Sequence, residues 1–251
     1  MALVNGIHHV TCIASNAQEN YDFYTKIGFR FIKKTVNQDD PGTYHLYYSD
    51  QDLSPGSILT FFIYDAKIPK SNVSKIYLGM KNPKAYLEKL EKLGVRIEGN
   101  SFFDPDGLEF EVTEYKEDFR FIKFLYESID VDRSKALFEK LGVSDLFELK
   151  EADFNVVGSG LVHHIAFNVD SLEDQKKVMS GLNANFSPVI DRFYFTSIYF
   201  NDVSLVLEVA TGNNFNIDEE KLGSSLVLPP WLESSRSQIE IVLPWLDTHE
   251  N

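Results

Sequence analysis

The stretch Glu91-Lys-Leu-Gly-Val95 recurs almost unchanged as Glu139-Lys-Leu-Gly-Val143, and Thr25-Lys-Ile-Gly-Phe29 is a third variant of it. Each glycine stands where a helix would end, at a position that tolerates a left-handed backbone. A strand-like run precedes each of the three helices, and alternating apolar runs follow the first two. The pattern predicts a repeated unit of strand, helix and two or three antiparallel strands.

A fourth copy of this unit is predicted in the last third of the chain, with a helix that begins at Ser171 and ends near Gly181. The third copy is shortened, because only Phe147–Val157 separates its helix from the fourth copy. Four ordered copies indicate an α+β fold made of tandem modules. The strands that open the modules are predicted at Ile7–Ala14, Lys75–Met80, Phe121–Ile129 and Val162–Val169.

Helix-start signals accompany two of these modules. Ser15 with Gln18 has the pattern of a capping box, and Asn82 before Pro83 resembles an N-cap followed by proline in the first turn. A last amphipathic helix is predicted at about Glu233–Leu243.

Composition restricts the class of protein. With 24 basic and 38 acidic side chains, the net charge is −14, which disfavours nucleic acid and anionic membrane surfaces as partners. No apolar run approaches the roughly 20 residues that span a bilayer. The single cysteine, Cys12, cannot form an internal disulfide, which indicates a reducing compartment and predicts a cytoplasmic protein.

Two adjacent histidine pairs, His8-His9 and His163-His164, open the first strands of modules one and four. Neighbouring strand residues point to opposite faces, so one histidine of each pair is expected to face a shared cavity. The alternative is that each histidine is bonded locally at the start of its strand. Two pairs at equivalent positions favour a common site over this alternative.

A third candidate ligand is Glu208, which interrupts the apolar run Leu205–Ala210. A buried carboxylate needs a cation or strong donors nearby, and the alternative to a metal is a salt bridge to Arg192. Two imidazoles and one carboxylate are typical of non-haem Fe(II) enzymes, although Zn²⁺ or Mn²⁺ can use the same ligands. Glu111 corresponds to Glu208 in module two, where no histidine accompanies it, which predicts a metal-free half.

At these residues the chain resembles the vicinal oxygen chelate superfamily, which includes glyoxalases, bleomycin resistance proteins and extradiol dioxygenases. Within the superfamily the chain resembles the hydroquinone-type ring-cleaving dioxygenases more closely, and this resemblance covers nearly the whole chain. It implies tandem βαβββ modules that form curved mixed sheets around a metal site. The matching stretches are Gly6–Thr11, Phe31–Tyr48, Val162–Phe167, Asp191–Phe200 and Pro229–Glu233.

The resemblance also implies roles for individual residues. The second histidine of each pair and the glutamate are then the metal ligands, namely His9, His164 and Glu208. Beside the metal, the residues implied to line the pocket or contact substrate are His8, Thr11, His163, Arg192 and Tyr199. Without the resemblance, Tyr199 would be interpreted as an aromatic residue of the core.

A single metal bound by His9, His164 and Glu208 requires modules one and four to pair. We therefore expect residues 1–65 to pair with 160–212 as the metal-binding half. Residues 66–116 and the shortened module 117–159 would form the metal-free half, with a linker at 66–73. The tail with the last helix is expected at 213–251.

The function predicted from the sequence is an Fe(II)-dependent extradiol-type dioxygenase that opens the ring of a hydroquinone-like aromatic with O₂. Mn(II) or Zn(II) remains an alternative metal. The alternative functions are a glyoxalase-like isomerase or lyase, a thiol transferase, and a non-catalytic protein that binds a small molecule in the same pocket. The expected partners are a small aromatic substrate and O₂, and the sequence leaves a homo-oligomer open.

Overall fold

The computed structural model describes residues 2–64, 72–152, 161–212 and 222–248, so the predicted linker at 66–73 lies outside the described residues except for its last two. The fold is α+β, as predicted. Its strands are β1 Ile7–Ala14, β2 Arg30–Asn37, β3 Asp40–Ser49, β4 Leu59–Ile63, β5 Val73–Met80, β6 Ile97–Glu98, β7 Ser101–Phe103, β8 Glu109–Glu114, β9 Arg120–Ser128, β10 Phe147–Glu151, β11 Val162–Val169, β12 Ile190–Asp191, β13 Thr196–Asp202 and β14 Leu205–Thr211. Its helices are α1 Ala17–Ile27, α2 Pro83–Lys92, α3 Val131–Leu141, α4 Leu172–Gly181 and α5 Arg236–Val242.

Three of the four modules share one strand arrangement. After the opening strand and the helix come three strands, and the last of them lies parallel to the opening strand: β4 beside β1, β8 beside β5 and β14 beside β11. In the third module the single strand β10 takes this parallel place beside β9. The predicted shortening of module three is confirmed, and it omits the two intermediate strands.

The strands form two mixed sheets. The eight-stranded sheet has the order β12-β13-β14-β11-β1-β4-β3-β2, and the six-stranded sheet has the order β10-β9-β5-β8-β7-β6. At the centre of the first sheet β1 runs antiparallel to β11, and at the centre of the second β5 runs antiparallel to β9. Strands from the first and last modules therefore lie side by side in one sheet, which brings the two histidine pairs together.

Both histidine pairs lie at irregularities of the β1–β11 ladder. Ile7 pairs with Phe167 and His9 with Ala166, so His8 is an extra residue on β1. The ladder then steps from His164 to Val162 on β11, so that His163 is an extra residue on that strand. A bulge breaks the strict alternation of side chains. In the second pair both His163 and His164 line the outer part of the cavity described below. The expectation that only one histidine of each pair faces the cavity is therefore wrong for this pair.

The ends of the helices follow local rules. Asn16 caps α1 by accepting from the backbone N–H of Glu19, so the predicted capping box of Ser15 and Gln18 is wrong by one residue. The side chain of Gln18 instead donates to Asp22. Asn82 caps α2, as predicted, and Gly28 follows α1 with a left-handed φ of 114°.

The predicted C-terminal helix begins later than expected. A 3₁₀ turn covers Pro230–Ser235, and α5 then carries Ile239 into a small cluster with Val36 and Leu228. None of the helices in the described part of the chain is both long and apolar enough to cross a membrane.

One hydrophobic core runs through both sheets and the helices packed on them. Several polar contacts connect the sheets, among them two that involve buried carboxylates. The hydroxyl of Tyr24 on α1 donates to Asp104 at 2.9 Å, and Arg120 at the start of β9 forms a 2.6 Å ion pair with Asp50, which follows β3. Because Asp104 and Asp50 are both buried, each contact satisfies a carboxylate that would otherwise be costly to bury.

Candidate metal centre and its cavity

Three buried side chains from three adjacent strands meet at one point of the eight-stranded sheet. His9 on β1 and His164 on β11 approach with their Nε2 atoms 3.3 Å apart. The Oε2 atom of Glu208 on β14 lies 3.0 Å from the Nε2 atom of His164 and 3.5 Å from that of His9. The three potential ligand atoms thus lie within 4.8 Å of one another, close enough for all three to bind a single metal ion.

The protonation of these groups favours a cation among them. Burial lowers the pKa of His164 to about 3 and that of His9 well below 6.5, so both imidazoles are neutral near pH 7. Ser197 donates to Oε1 of Glu208, whereas Oε2 has no hydrogen-bond partner. A buried carboxylate oxygen without a donor is costly, and a divalent ion would satisfy it together with the two imidazoles. The residues therefore fit a metal.

The first histidine of each pair supports the second. The Nδ1 atoms of His8 and His9 are 2.7 Å apart, and those of His163 and His164 are 2.8 Å apart. A neutral imidazole that donates from Nδ1 has an unprotonated Nε2, so these contacts are compatible with Nε2 as the metal-binding atom of His9 and His164. The structure thus places His8 and His163 as outer partners of the two candidate ligands.

The equivalent place in the six-stranded sheet contains a lysine in place of a histidine. Glu111 occupies the register position on β8 that Glu208 occupies on β14. On β5, Lys75 stands where His164 stands on β11. The Lys75 ammonium lies 2.7 Å from Glu111 and 3.1 Å from Glu109, so a side-chain cation neutralises the carboxylates at this position.

The three candidate ligands lie on the wall of a small cavity. Aromatic and imidazole rings form most of the remaining wall, and polar side chains stand at its rim. The rings belong to His45, Tyr47, Phe62, Phe195 and Tyr199, and the polar side chains to Asn37, Gln38, Asp39 and Arg192. A more open outer chamber shares several of these residues and adds His163. Ring-lined walls with a few polar side chains suit a flat aromatic molecule with a few polar groups.

Arg192 and Tyr199 form a contact beside the candidate metal position. Arg192 follows β12, and its Nε donates to the hydroxyl of Tyr199 on β13 at 3.3 Å. The other guanidinium nitrogens bind the carboxylate of Asp39 at 2.9 and 3.2 Å, so Arg192 pairs with Asp39 and not with Glu208. Burial and the nearby Glu208 raise the pKa of Tyr199, which keeps its hydroxyl protonated.

Thr11 lies behind the cavity wall. Its hydroxyl is 2.8 Å from that of Thr60, which in turn lies 2.8 Å from Nε2 of His45. His45 and Tyr47 were not among the residues assigned to the site from the sequence. The available signal was a histidine two residues before a tyrosine in a strand, a spacing that puts both side chains on one face.

Comparison with known proteins gives the family. Residues 6–112 match the Glyoxalase/Bleomycin resistance protein/Dioxygenase superfamily. The chain is 33% identical to "Putative ring-cleaving dioxygenase MhqE" of Bacillus subtilis (strain 168), with 96% of this chain and 99% of that protein covered. It is 26% identical to "Chlorohydroquinone/hydroquinone 1,2-dioxygenase" of Sphingobium indicum, with 94% of this chain and 95% of that protein covered. A crystal structure described as a "putative dioxygenase" from Bacillus subtilis matches with a TM-score of 0.86 at 30% identity over the whole of both chains.

The chain therefore belongs to the glyoxalase/bleomycin resistance protein/dioxygenase superfamily. Within it, the chain is an enzyme of the ring-cleaving dioxygenase class, the class in which these relatives are named. The family and the enzyme class predicted from the sequence are confirmed. The alignment with the MhqE protein spans 299 positions, more than the 251 residues of this chain. This chain therefore has gaps in the alignment where the MhqE protein has additional residues.

Proposed function

We propose that this protein is an Fe(II)-dependent extradiol-type dioxygenase that cleaves the ring of a hydroquinone-like aromatic. The observation that carries the proposal is the buried set of His9, His164 and Glu208 on the wall of an aromatic-lined cavity. Two imidazoles and a carboxylate on one side of an ion leave its other side to the cavity, the arrangement typical of non-haem Fe(II) oxygenases. The relative named as a chlorohydroquinone/hydroquinone dioxygenase supports the substrate class.

Fe(II), when bound, would supply redox activity and open positions for a substrate oxygen and for O₂. The side chains of the protein would position the metal ligands and the substrate. Ser197 holds one oxygen of Glu208, so only the other oxygen points towards the ligand cluster. His8 and His163 orient the two ligand imidazoles through their Nδ1 contacts. The rings of Phe62 and Phe195 exclude water from the cavity and provide flat surfaces for an aromatic ring.

Tyr199 is the proposed hydrogen-bond donor at the reacting end of the substrate. Because Arg192 donates into its oxygen, the phenolic hydrogen of Tyr199 is left to point elsewhere. A protonated, buried hydroxyl fixed in this way can stabilise negative charge that develops on an oxygen beside the metal. Asp39 in turn binds the guanidinium of Arg192. The Tyr199 hydroxyl is therefore held in its orientation before substrate binds.

The test of activity is anaerobic loading of the protein with Fe(II), followed by an O₂-electrode screen of substituted hydroquinones and catechols. We expect O₂ uptake with at least one hydroquinone and the loss of its aromatic absorbance. Parallel loading with Mn(II) and Zn(II) identifies the metal that supports turnover. A glyoxalase-like isomerase or lyase, or a thiol transferase, would act without O₂, and a binding protein would bind ligand without turnover. Either result would contradict the proposal.

The test of the ligand assignment is metal content. His9→Ala, His164→Ala and Glu208→Ala should each lose most bound iron, because two remaining ligands hold a labile divalent ion poorly. Glu111→Ala, at the equivalent position of the other sheet, is the matched control and should keep wild-type iron. Full occupancy in Glu208→Ala would remove this residue from the site.

We further propose that the enzyme works in the cytoplasm. Cys12 is a buried free thiol, which is the state expected in a reducing compartment. Cell fractionation with an antibody against the protein tests this location.

A further inference from the structure

Two polar side chains of the cavity wall come from β3. His45 and Tyr47 are two residues apart, and their side chains lie on the cavity face of this strand. The intervening Leu46 and the following Tyr48 face the hydrophobic core, where the Tyr48 hydroxyl donates to Asn20. The imidazole and the phenol therefore form a polar patch on the β3 part of the cavity wall.

A chain of hydrogen bonds fixes this patch from behind. The Tyr47 hydroxyl lies 3.1 Å from Nδ1 of His45, and Nε2 of His45 lies 2.8 Å from the hydroxyl of Thr60. Thr60 in turn contacts Thr11 at 2.8 Å. Every group in this chain can either donate or accept a hydrogen bond.

Because of these hydrogen bonds, the Tyr47 hydroxyl can act towards a ligand either as a donor or as an acceptor. When Nδ1 of His45 donates to the Tyr47 oxygen, the phenol can act as a donor to a ligand. When Nδ1 accepts from Tyr47, the phenol oxygen can act as an acceptor from a ligand. A substrate hydroxyl, which both donates and accepts, fits both states.

The patch stays uncharged near neutral pH. Burial, together with the neighbouring His9 and His164, lowers the pKa of His45 well below 6.5. Burial and the phenol of Tyr194 raise the pKa of Tyr47 well above 10. A neutral pair in a buried wall suits a neutral hydroxyl better than an ionised substituent, whose burial would be costly.

The patch lies in the same cavity as the candidate metal ligands. Tyr47 and His45 line this cavity together with His9, His164 and Glu208. In the sheet, β4 separates β3 from β1, so the patch and His9 come from strands that are not neighbours. A ring with two para hydroxyls has one oxygen at each end, so it can turn one hydroxyl to the ligand cluster and the other to Tyr47.

We propose that Tyr47, oriented by His45, is the specificity-determining residue that hydrogen-bonds the substrate hydroxyl remote from the metal. The inference rests on the proposed function, because it assumes that the other hydroxyl approaches the metal. It adds a reason for selecting para-dihydroxy rings, since an ortho-dihydroxy ring places no hydroxyl at this end. His45 acts through Tyr47 as a positioning residue.

The test is ligand binding to the metal-loaded protein without O₂, measured by isothermal titration calorimetry. The probes are hydroquinone and 4-methylphenol, in which a methyl group of similar size replaces the second hydroxyl. The wild type should bind hydroquinone about tenfold more tightly, the size expected for one buried hydrogen bond. Tyr47→Phe should bind the two ligands within about twofold of each other. His45→Ala should reduce the preference, and His45→Asn, whose amide replaces Nδ1, should restore part of it.

The matched control is Tyr48→Phe, the same substitution one residue further along β3 but on the core face. It should lower the melting temperature and keep the wild-type preference. Iron content and melting temperature show that Tyr47→Phe is folded and loaded. A preference that persists in Tyr47→Phe, or a wild type without any preference, overturns the inference. A failure of ring cleavage appears separately, as an absence of O₂ uptake in a wild type that still distinguishes the two ligands.

Discussion

Replacing Glu208 by glutamine should change the stability of the protein in opposite directions without and with metal. In the metal-free protein Oε2 of Glu208 is buried without a hydrogen-bond partner, 3.0 Å from the neutral imidazole nitrogen of His164. The amide of Glu208→Gln can donate to that nitrogen, while its carbonyl oxygen still accepts from Ser197. Removing a buried, unsatisfied carboxylate oxygen should stabilise the metal-free fold by about 1–3 kcal/mol.

The size of the effect is measurable by thermal unfolding. For a chain of this length, about 2 kcal/mol corresponds to a rise in the melting temperature of roughly 4–8 °C. Metal at about 1,000 times its dissociation constant should stabilise the wild type by about 4 kcal/mol. Glu208→Gln lacks the carboxylate of the proposed ligand set and should gain little from metal. The wild type should thus be less stable than the variant without metal and more stable with it.

The assay is differential scanning calorimetry in chelator and in anaerobic buffer with Fe(II). Glu111→Gln is the matched control, because Glu111 is partly exposed and already paired with Lys75. It should shift the melting temperature little, and by the same amount in both buffers. The reasoning is refuted if metal-free Glu208→Gln is no more stable than the wild type. It is equally refuted if Fe(II) raises the melting temperature of the variant as much as that of the wild type.

Three further predictions follow from contacts around the site and between the sheets. His8→Ala and His163→Ala should retain most iron and lose turnover, because the proposed role of both residues is to orient a ligand imidazole without binding metal; iron analysis and O₂ uptake on each variant check this. Tyr199→Phe should keep its fold and its iron but lose on the order of 10²-fold in turnover, and near-normal O₂ uptake with a lowered melting temperature would instead make it a core residue. Arg120→Ala should cost about 1–3 kcal/mol at pH 7 by leaving Asp50 without its buried partner. Burial alone would raise the pKa of Asp50, but its hydrogen bonds, including that of Arg120, lower the pKa below 3.8. The stability advantage of the wild type over Arg120→Ala should therefore shrink as the pH falls below about 3.8. Urea unfolding of both proteins at pH 7 and pH 3 measures this change.

The modular order of the chain could be predicted because its signals are local. A glycine after a helix, an N-cap such as Asn82 and an alternating strand each depend on neighbours within a few residues. For the same reason the strands Ile7–Ala14 and Val162–Val169 were predicted with the bounds that the structure shows. Errors arose where two polar residues compete for one role, as at the start of α1, where Asn16 and not Ser15 is the cap.

The candidate site was partly predictable, because paired histidines and a carboxylate inside an apolar strand are unusual enough to be noticed one residue at a time. The bulges at His8 and His163 were not predictable, since they depend on how β1 and β11 slide along each other. Nor were His45 and Tyr47, which become part of the site only because β3 lies two strands away from β1 on the same curved face.

The sequence by itself determined the α+β modules, their number and order, and the residue types able to hold a metal. The tertiary structure decided which of those residues meet: His9 and His164 are 155 positions apart, yet their Nε2 atoms lie 3.3 Å from each other. Helices and strands follow from short-range periodicity and capping, whereas such a contact follows from which modules share a sheet. That choice depends on burying the whole apolar surface of all four modules at once, and no local pattern encodes it.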